Sequence, residues 1–588
     1  MSIARLLLFA SPAVLLAGQP ATRPDAAGAI SLAAFGARPN EPGVNSRSTF
    51  QAALAALAQS GGATLRIPAG DYYLDFPDVA TEIDPNIPDN RPLIRRKNLA
   101  KEKLIVVPAG VRLLGDTSPD GKPSTRIHWK TTGFPVFSFV NSDGAGMENI
   151  AFIFEGLQPR YFSWSQEDYL DAVGVHARWL GGPYEISTVI YAIGSGGLHF
   201  ENLTFQSAAP GNEHTFAFGI VVKGKTPVPE TSADAVSRLP MGAGMPGGGL
   251  AECVTGNSFR RLRFGNYIMG ILAGGQCSPV FENISGNLRG SWFRSFDPTH
   301  ETGGAIRNVG PPGHLIYLTF QQAIDLVRTA VHPEGEQTLN HTSRNRDIVI
   351  RDISEGPETL SNFNSLGTLA LKNIDGGIIE NVRSQHPAGL IQSMTDAHNL
   401  TLRDLTWDSG RDLCSESDSK SNCDTPAISL VPGGPDLSLQ VMDRLTFRNV
   451  KLRSPRWAAI FQISSSTSGA PLSNHIDVDG LTIECTPLLH TGQGGPRGIV
   501  TLRTADTRFR NVTYVPVAPA DGALPPSVNF AALIDRGSVR TAIDLTIDRM
   551  AAHAIDTAPA YRAFVADHGT GGEFSGGDGN SITRRFAK

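Results

Sequence analysis

Charge is scarce in this chain of 588 residues: Asp, Glu, Lys and Arg make up 18% of it, and the formal balance is −5. That excludes a general nucleic-acid binder, because neutralising phosphates takes a basic excess or a concentrated basic face. Cysteine is scarce too. There are five, no two of them spaced C-x-x-C, which argues against a cysteine zinc centre. Beyond residue 21 no apolar run is long enough to span a bilayer. Sustained helical periodicity is nearly absent, being confined to one segment near the start.

What is present is turn chemistry. Sixty-two glycines and forty prolines break the chain into short apolar phrases, the composition of an all-β protein. The opening "MSIARLLLFASPAVLLAGQPA" places Arg5 before an apolar run from Leu6 to Leu16 and small residues from Ala17 to Ala21. It reads as a signal peptide over residues 1–21 and implies a secreted or periplasmic protein. Export permits disulfides. Cys414 and Cys423 close a short loop, Cys253 and Cys277 stand 24 residues apart, and Cys485 is left over as a buried thiol.

A short phrase recurs: apolar, any residue, Asn or Asp, apolar. It stands at Phe200, Phe281, Ile306, Ile350, Ile379, Leu402, Phe447 and Phe509. From third residue to third residue, Asn283 to Asn308 is 25, Asp352 to Asn381 is 29 and Asn381 to Asp404 is 23. Asn308 to Asp352 and Asp404 to Asn449 are 44 and 45, about two units each. A unit this short cannot bury its own apolar face and must stack on the next copy, as a solenoid. Asparagines at equivalent turns then form a hydrogen-bonded ladder along the stack. That use takes precedence over the N-x-S/T glycosylation pattern at Asn202, Asn283, Asn340, Asn399 and Asn511.

The entry segment supplies an end cap. Ser48 with Gln51 reads as a capping box, Phe50, Ala53, Leu54 and Leu57 form one helical face, and Gly61-Gly62 ends the helix. The order "AAFGAR…STFQAALAALAQSGGATLRIPAGDYYL" resembles the N-terminal signature of the pectate lyase-like superfamily. The resemblance implies an all-β, right-handed parallel β-helix solenoid with an N-terminal capping helix, and work on carbohydrate. It places the β-helix domain at residues 31–550, leaving residues 551–588 as a C-terminal segment. It does not choose the reaction: polysaccharide lyases, hydrolases, epimerases, fructotransferases and tailspikes share this fold.

Three stretches break the repeat, Glu155 to Ser195, Ala208 to Cys253 and Gly310 to Asn345. The first holds Tyr161, Trp164 and Trp179, aromatic platforms for sugar rings. Aligning the strands puts Gly270, Arg294, Tyr317, Gln392 and Phe461 in one column, with Arg294 beside Tyr317. Cleaving a uronic-acid polymer by β-elimination needs a cation on the carboxylate, a base for the C5 proton and an acid for the leaving oxygen. Arg289, Arg294 and Arg307 are candidate neutralisers, His300, His314 and Tyr317 candidate base and acid, and Trp292 a further substrate contact. "SFDPTHET" is similar to the F-D-P-H-E-x-T phrase of mannuronan C5-epimerases, which implies catalytic roles for Asp297 and His300. Here Thr299 is inserted and Ser295 stands where that family has tyrosine.

The polygalacturonase pattern is absent, since no two aspartates are adjacent. Asp297 with Glu301, or Asp325, remains open as the acid pair of a different hydrolase or transferase. A noncatalytic glycan-binding protein is the third reading. The acidic loop with Asp408, Asp412, Glu416, Asp418 and Asp424 offers oxygens to calcium, although its spacing matches no defined calcium loop. The expected partner is a polysaccharide, with no nucleic acid and no membrane span; monomer and homo-oligomer both stay open.

Overall fold

The computed structural model describes residues 29–76, 104–130, 135–157, 188–211, 214–224, 253–287, 313–319, 345–357, 367–386, 389–409, 426–430, 442–454, 461–464, 473–485, 498–516, 532–534, 537–547 and 579–586. It adds the backbone of strand segments Thr81–Glu82, Leu93–Ile94, Arg294–Ser295, Arg307–Asn308, Gln321–Val327 and Glu336–Ser343.

Short strands stack in parallel on three faces. Face A runs from Phe137–Val140 through Thr188–Ile193, Phe216–Lys223, Tyr267–Gly274 and Ile316–Thr319 to the starts of Leu369–Ser384 and Ile391–Asp408. It continues through Ile428–Leu430, Phe461–Ser464, Ile499–Leu502 and Ala532–Ile534. Face B opens with Thr64–Ile67, Arg112–Gly115, Gly146–Glu148, His199–Glu201 and Ser258–Arg260. Face C opens with Gly70–Leu74, Thr125–Trp129, Ile150–Phe154, Thr204–Ser207 and Arg263–Gly265. From Val280–Asn287 onward, single bent strands serve both B and C. This is a parallel β-helix. Its last described strand, Ser581–Phe586, pairs with Ala542–Ile547, so the stack reaches into the segment that the sequence sets apart after residue 550.

The recurring phrase marks the corner between faces B and C. Asn149, Asn202, Asn283, Asp352, Asn381, Asp404, Asn449 and Asn511 all adopt positive φ between 50° and 60° there. Asn and Asp tolerate this left-handed conformation better than other L residues, and their side chains bond along the stack. Asn202 Nδ2 donates to Asn149 Oδ1 at 2.8 Å, Asn381 to Asp352 at 2.6 Å, Asn449 to Asp404 at 2.7 Å and Asn511 to Asp479 at 2.7 Å. Two expectations change. Asp404 and Asn449 are direct ladder neighbours, so their 45-residue separation is one lengthened coil, not two. Asn308 has no place in the ladder, because it pairs antiparallel in a small separate ribbon.

The core is one apolar column inside the three faces. Its rings stack at the strand spacing: Phe205 on Phe264 at 4.8 Å and Phe259 on Phe281 at 4.8 Å. The helix Arg47–Gln59 closes the first coil with Phe50, Ala53, Leu54 and Leu57 buried, the face read from the sequence. Its start differs from expectation. Ser46 is the N-cap, and Gln51 donates to the Leu104 carbonyl at 3.0 Å, which ties the cap to the body.

Cys253, just before Val254–Thr255, and Cys277, on the strand paired with it, form the expected disulfide, with Cα atoms 5.4 Å apart. Changing both to serine is expected to cost about 3 kcal/mol through freed loop entropy. A lower denaturant midpoint, with a somewhat steeper transition because the opened loop exposes more surface on unfolding, is the readout. Cys414 and Cys423 lie outside the described residues, as does the Cys485 side chain. Among the described residues no helix is long and apolar enough to cross a membrane.

Candidate functional site on face A

From the coil of Gly146–Phe154 to that of Arg508–Pro516, each B–C corner turns at a positive-φ residue. Among the described strands of that stretch, the long interruptions therefore fall at the two corners that border face A. One strand of that face, Ile316–Thr319, is bracketed by antiparallel additions. Before it come Arg294–Ser295 and Arg307–Asn308, after it Gln321–Val327 and Glu336–Ser343. Meanwhile Val280–Asn287 pairs straight with Asn345–Glu355, and among the described residues of 288–344 this strand alone joins the stack.

On Ile316–Thr319 side chains alternate. Ile316 and Leu318 are fully buried in the core, which turns Tyr317 outward. In register its neighbours are Leu272, Ala370 and, one coil further, Gln392. Tyr317 and Gln392 thus share a column as expected; Gly270 is off by two residues. Phe461 is off by one and faces the core, with Gln462 in the outward place. Arg294 is not beside Tyr317, since it pairs with Asn308 in the preceding ribbon. There Ser295 pairs with Arg307, so the ribbon carries both arginines.

Two side chains meet Tyr317. The Lys372 ammonium lies 5.2 Å from its ring centroid, an attraction between a cation and the ring face. The His314 ring lies 5.4 Å away, tilted by 60°. His314 is 1% exposed, and its Nδ1 bonds to the Gly367 carbonyl at 3.0 Å. A carbonyl only accepts, so Nδ1 carries the proton and the ring orientation is fixed. His314 consequently backs the tyrosine from inside the wall. Lys372 was missed in the sequence; its signal is the alternation in "LALK", which turns Ala370 and Lys372 to the same side as Tyr317.

Asp297, His300, Arg289, Trp292, Tyr161, Trp164 and Trp179 lie outside the described residues. So do four acids of the proposed calcium loop; the fifth, Asp408, pairs with Arg453 at 3.2 Å.

A second polar group, unforeseen, stands on face C of the first coils. His128 Nδ1 faces Glu155 at 2.6 Å and its Nε2 faces Asp71 at 2.8 Å, while Tyr73 stacks on the ring at 4.7 Å. Arg126 grips Asp71 through two bonds of 2.5 and 2.7 Å. That guanidinium, against the cost of burial and with help from His128, holds the Asp71 carboxyl down from 3.8 to about 2. As pH falls, the unfolded chain takes up this proton first. The stabilisation is therefore full above pH 3.8 and lost as the pH drops towards 2. Asp71→Asn is expected to flatten the acid-unfolding curve in that window, measured by circular dichroism.

No protein-family model and no curated protein matches the sequence. Solved structures do match at low identity. The Agl-KA catalytic domain is 14% identical with a TM-score of 0.42, over 90% of this chain and 70% of that one. A DFA-IIIase from Arthrobacter chlorophenolicus is 11% identical with a TM-score of 0.37, over 88% and 94%. A mannuronan C-5 epimerase A-module from Azotobacter vinelandii is 11% identical with a TM-score of 0.28, over 95% and 97%. At these values the likenesses carry no functional argument, and the fold stands on the strand register itself.

Proposed function

We propose that this chain is an exported polysaccharide lyase that cleaves a uronic-acid-containing polymer by β-elimination on face A, around Tyr317. One observation carries the reading: an outward tyrosine beside an ammonium, on the strand of face A that antiparallel ribbons bracket on both sides. Long departures at both edges of a face give an extended chain a bounded track. The flat outward column gives it a floor.

In this reading the Lys372 ammonium meets the uronate carboxylate and makes the neighbouring C5 proton acidic. A base takes that proton, the C5–H electrons become the C4–C5 double bond, and the C4–O bond breaks with its electrons on the leaving oxygen. Proton return to that oxygen completes the cleavage. Tyr317 is assigned to proton transfer at the reacting carbon, and His314, buried behind it, to holding the ring in place. Arg294 and Arg307 are assigned to the carboxylate or its neighbours, with Asp297 and His300 on the connection between them. Tyr161, Trp164, Trp179, Trp292 and Arg289 are assigned to substrate contact. Calcium held by the acidic loop, and export through residues 1–21, belong to the same proposal.

Incubation with a panel of uronic-acid polysaccharides tests it. Elimination generates an unsaturated uronate that absorbs in the ultraviolet, and this is the expected result. New reducing ends without that chromophore would instead mark a hydrolase working through carboxylates such as Asp297, and binding without cleavage a glycan-binding protein.

A further inference from the structure

We propose that Glu148, His199 and Glu201 on face B form a binding site for one divalent transition ion of the zinc class. The inference is independent of the lyase reading, since it concerns a different face. One ligand atom from each of the three lies within 4.8 Å of the others. His199 and Glu201 are two apart on one strand and point to the same side; Glu148 is the register partner of Glu201 on the preceding coil. His199 Nε2 lies 2.7 Å from Glu201 Oε2 and 3.8 Å from Glu148 Oε1.

Two independent features point to a cation. The first is the orientation of the ring. His199 Nδ1 lies 2.8 Å from Ser258 Oγ, which holds the imidazole in place. Nε2 is then the nitrogen turned to the two carboxylates. Nε2 meets these acceptors through an N–H, and an ion seated among the three ligand atoms takes the place of that proton. A hydrogen bond from the far ring nitrogen is also how ligating histidines are held.

The second feature is a break in charge alternation. Along this outward column Arg260, Glu282, Arg351, Glu380 and Arg403 follow one another in register, each opposite in sign to the next, before Arg403 meets Arg448. Arg260 pairs with Glu282 at 3.2 Å and Glu282 with Arg351 at 2.6 Å. Among the described strands of the column, only Glu148 and Glu201 are carboxylates side by side, an arrangement that destabilises a sheet unless a cation joins them. Arg112 approaches Glu148 at 3.5 Å and Arg261 approaches Glu201 at 2.6 Å. Both arginines are more than half exposed, which makes them weak, displaceable partners. An imidazole nitrogen among the donors selects a zinc-class ion over calcium, and three protein ligands leave a position for water.

Zinc chloride titrated by calorimetry into the tag-free, chelator-stripped full chain is expected to bind at one equivalent. Ser258→Ala is expected to weaken binding by about 10–100-fold, the usual cost of an outer partner, and His199→Ala by more. Glu148→Gln serves as a second ligand variant, and cobalt(II) supplies visible absorption bands that should shift in both ligand variants. Unchanged far-ultraviolet dichroism shows that each variant folds. Absence of saturable binding, or one equivalent retained in both His199→Ala and Glu148→Gln, overturns the proposal.

Discussion

Replacing Tyr317 by phenylalanine is expected, on the proposed β-elimination, to lower kcat/KM by about 10²–10⁴-fold, the usual contribution of a proton-transfer group. The loss should fall on kcat, with KM little changed, because the ring that meets Lys372 and His314 remains. Phenylalanine keeps the outward packing of Ile316–Thr319, so the thermal midpoint should not move. Initial rates of chromophore release from both proteins make the comparison. Activity within a few-fold of the unchanged protein would remove Tyr317 from the chemistry and shift attention to His300 and Asp297 on the preceding connection.

The second large effect belongs to the core. Phe259 is fully buried between Phe200 at 5.7 Å and Phe281 at 4.8 Å, in a column where each ring packs on the coils on either side. Phe259→Ala is expected to cost about 3–5 kcal/mol, since the cavity opens between two stacked rings that cannot both close on it. In a solenoid each coil rests only on its neighbours, so the loss should be local before it is global. Hydrogen exchange is expected to accelerate first in His199–Glu201, Ser258–Arg260 and Val280–Asn287. Uniform acceleration along the whole chain would contradict nearest-neighbour stacking.

Much of this fold was legible because its rules are local. A phrase ending in Asn or Asp and an apolar residue encodes a left-handed corner wherever it sits in a coil, and the helical spacing of Phe50, Ala53, Leu54 and Leu57 encodes a buried face. The 24-residue interval brought Cys253 near Cys277 because it is two residues off the interval that pairs Thr255 with Cys277. What local rules do not carry is closure. "IRNV" at Ile306 has the corner phrase, yet its coil never forms, since Val280–Asn287 takes its next partner from Asn345–Glu355. That false corner set Arg294 beside Tyr317.

Register has the same limitation. The two-residue error at Gly270 landed on a position directed at the buried ring of Phe264, and the one-residue error at Phe461 exchanged a core residue for Gln462. The Asp71, His128 and Glu155 group and the Glu148, His199 and Glu201 group were illegible for another reason. Their members belong to successive coils and are brought together only by stacking.

The most direct test is a crystal structure of the Tyr317→Phe protein with a uronic-acid oligosaccharide bound. The account predicts the sugar chain along face A, one carboxylate within hydrogen-bonding distance of Lys372 Nζ, and the C5 hydrogen of that residue directed at the ring of residue 317. An oligosaccharide seated on face B or C, or one on face A with its carboxylate turned away from Lys372, would contradict it.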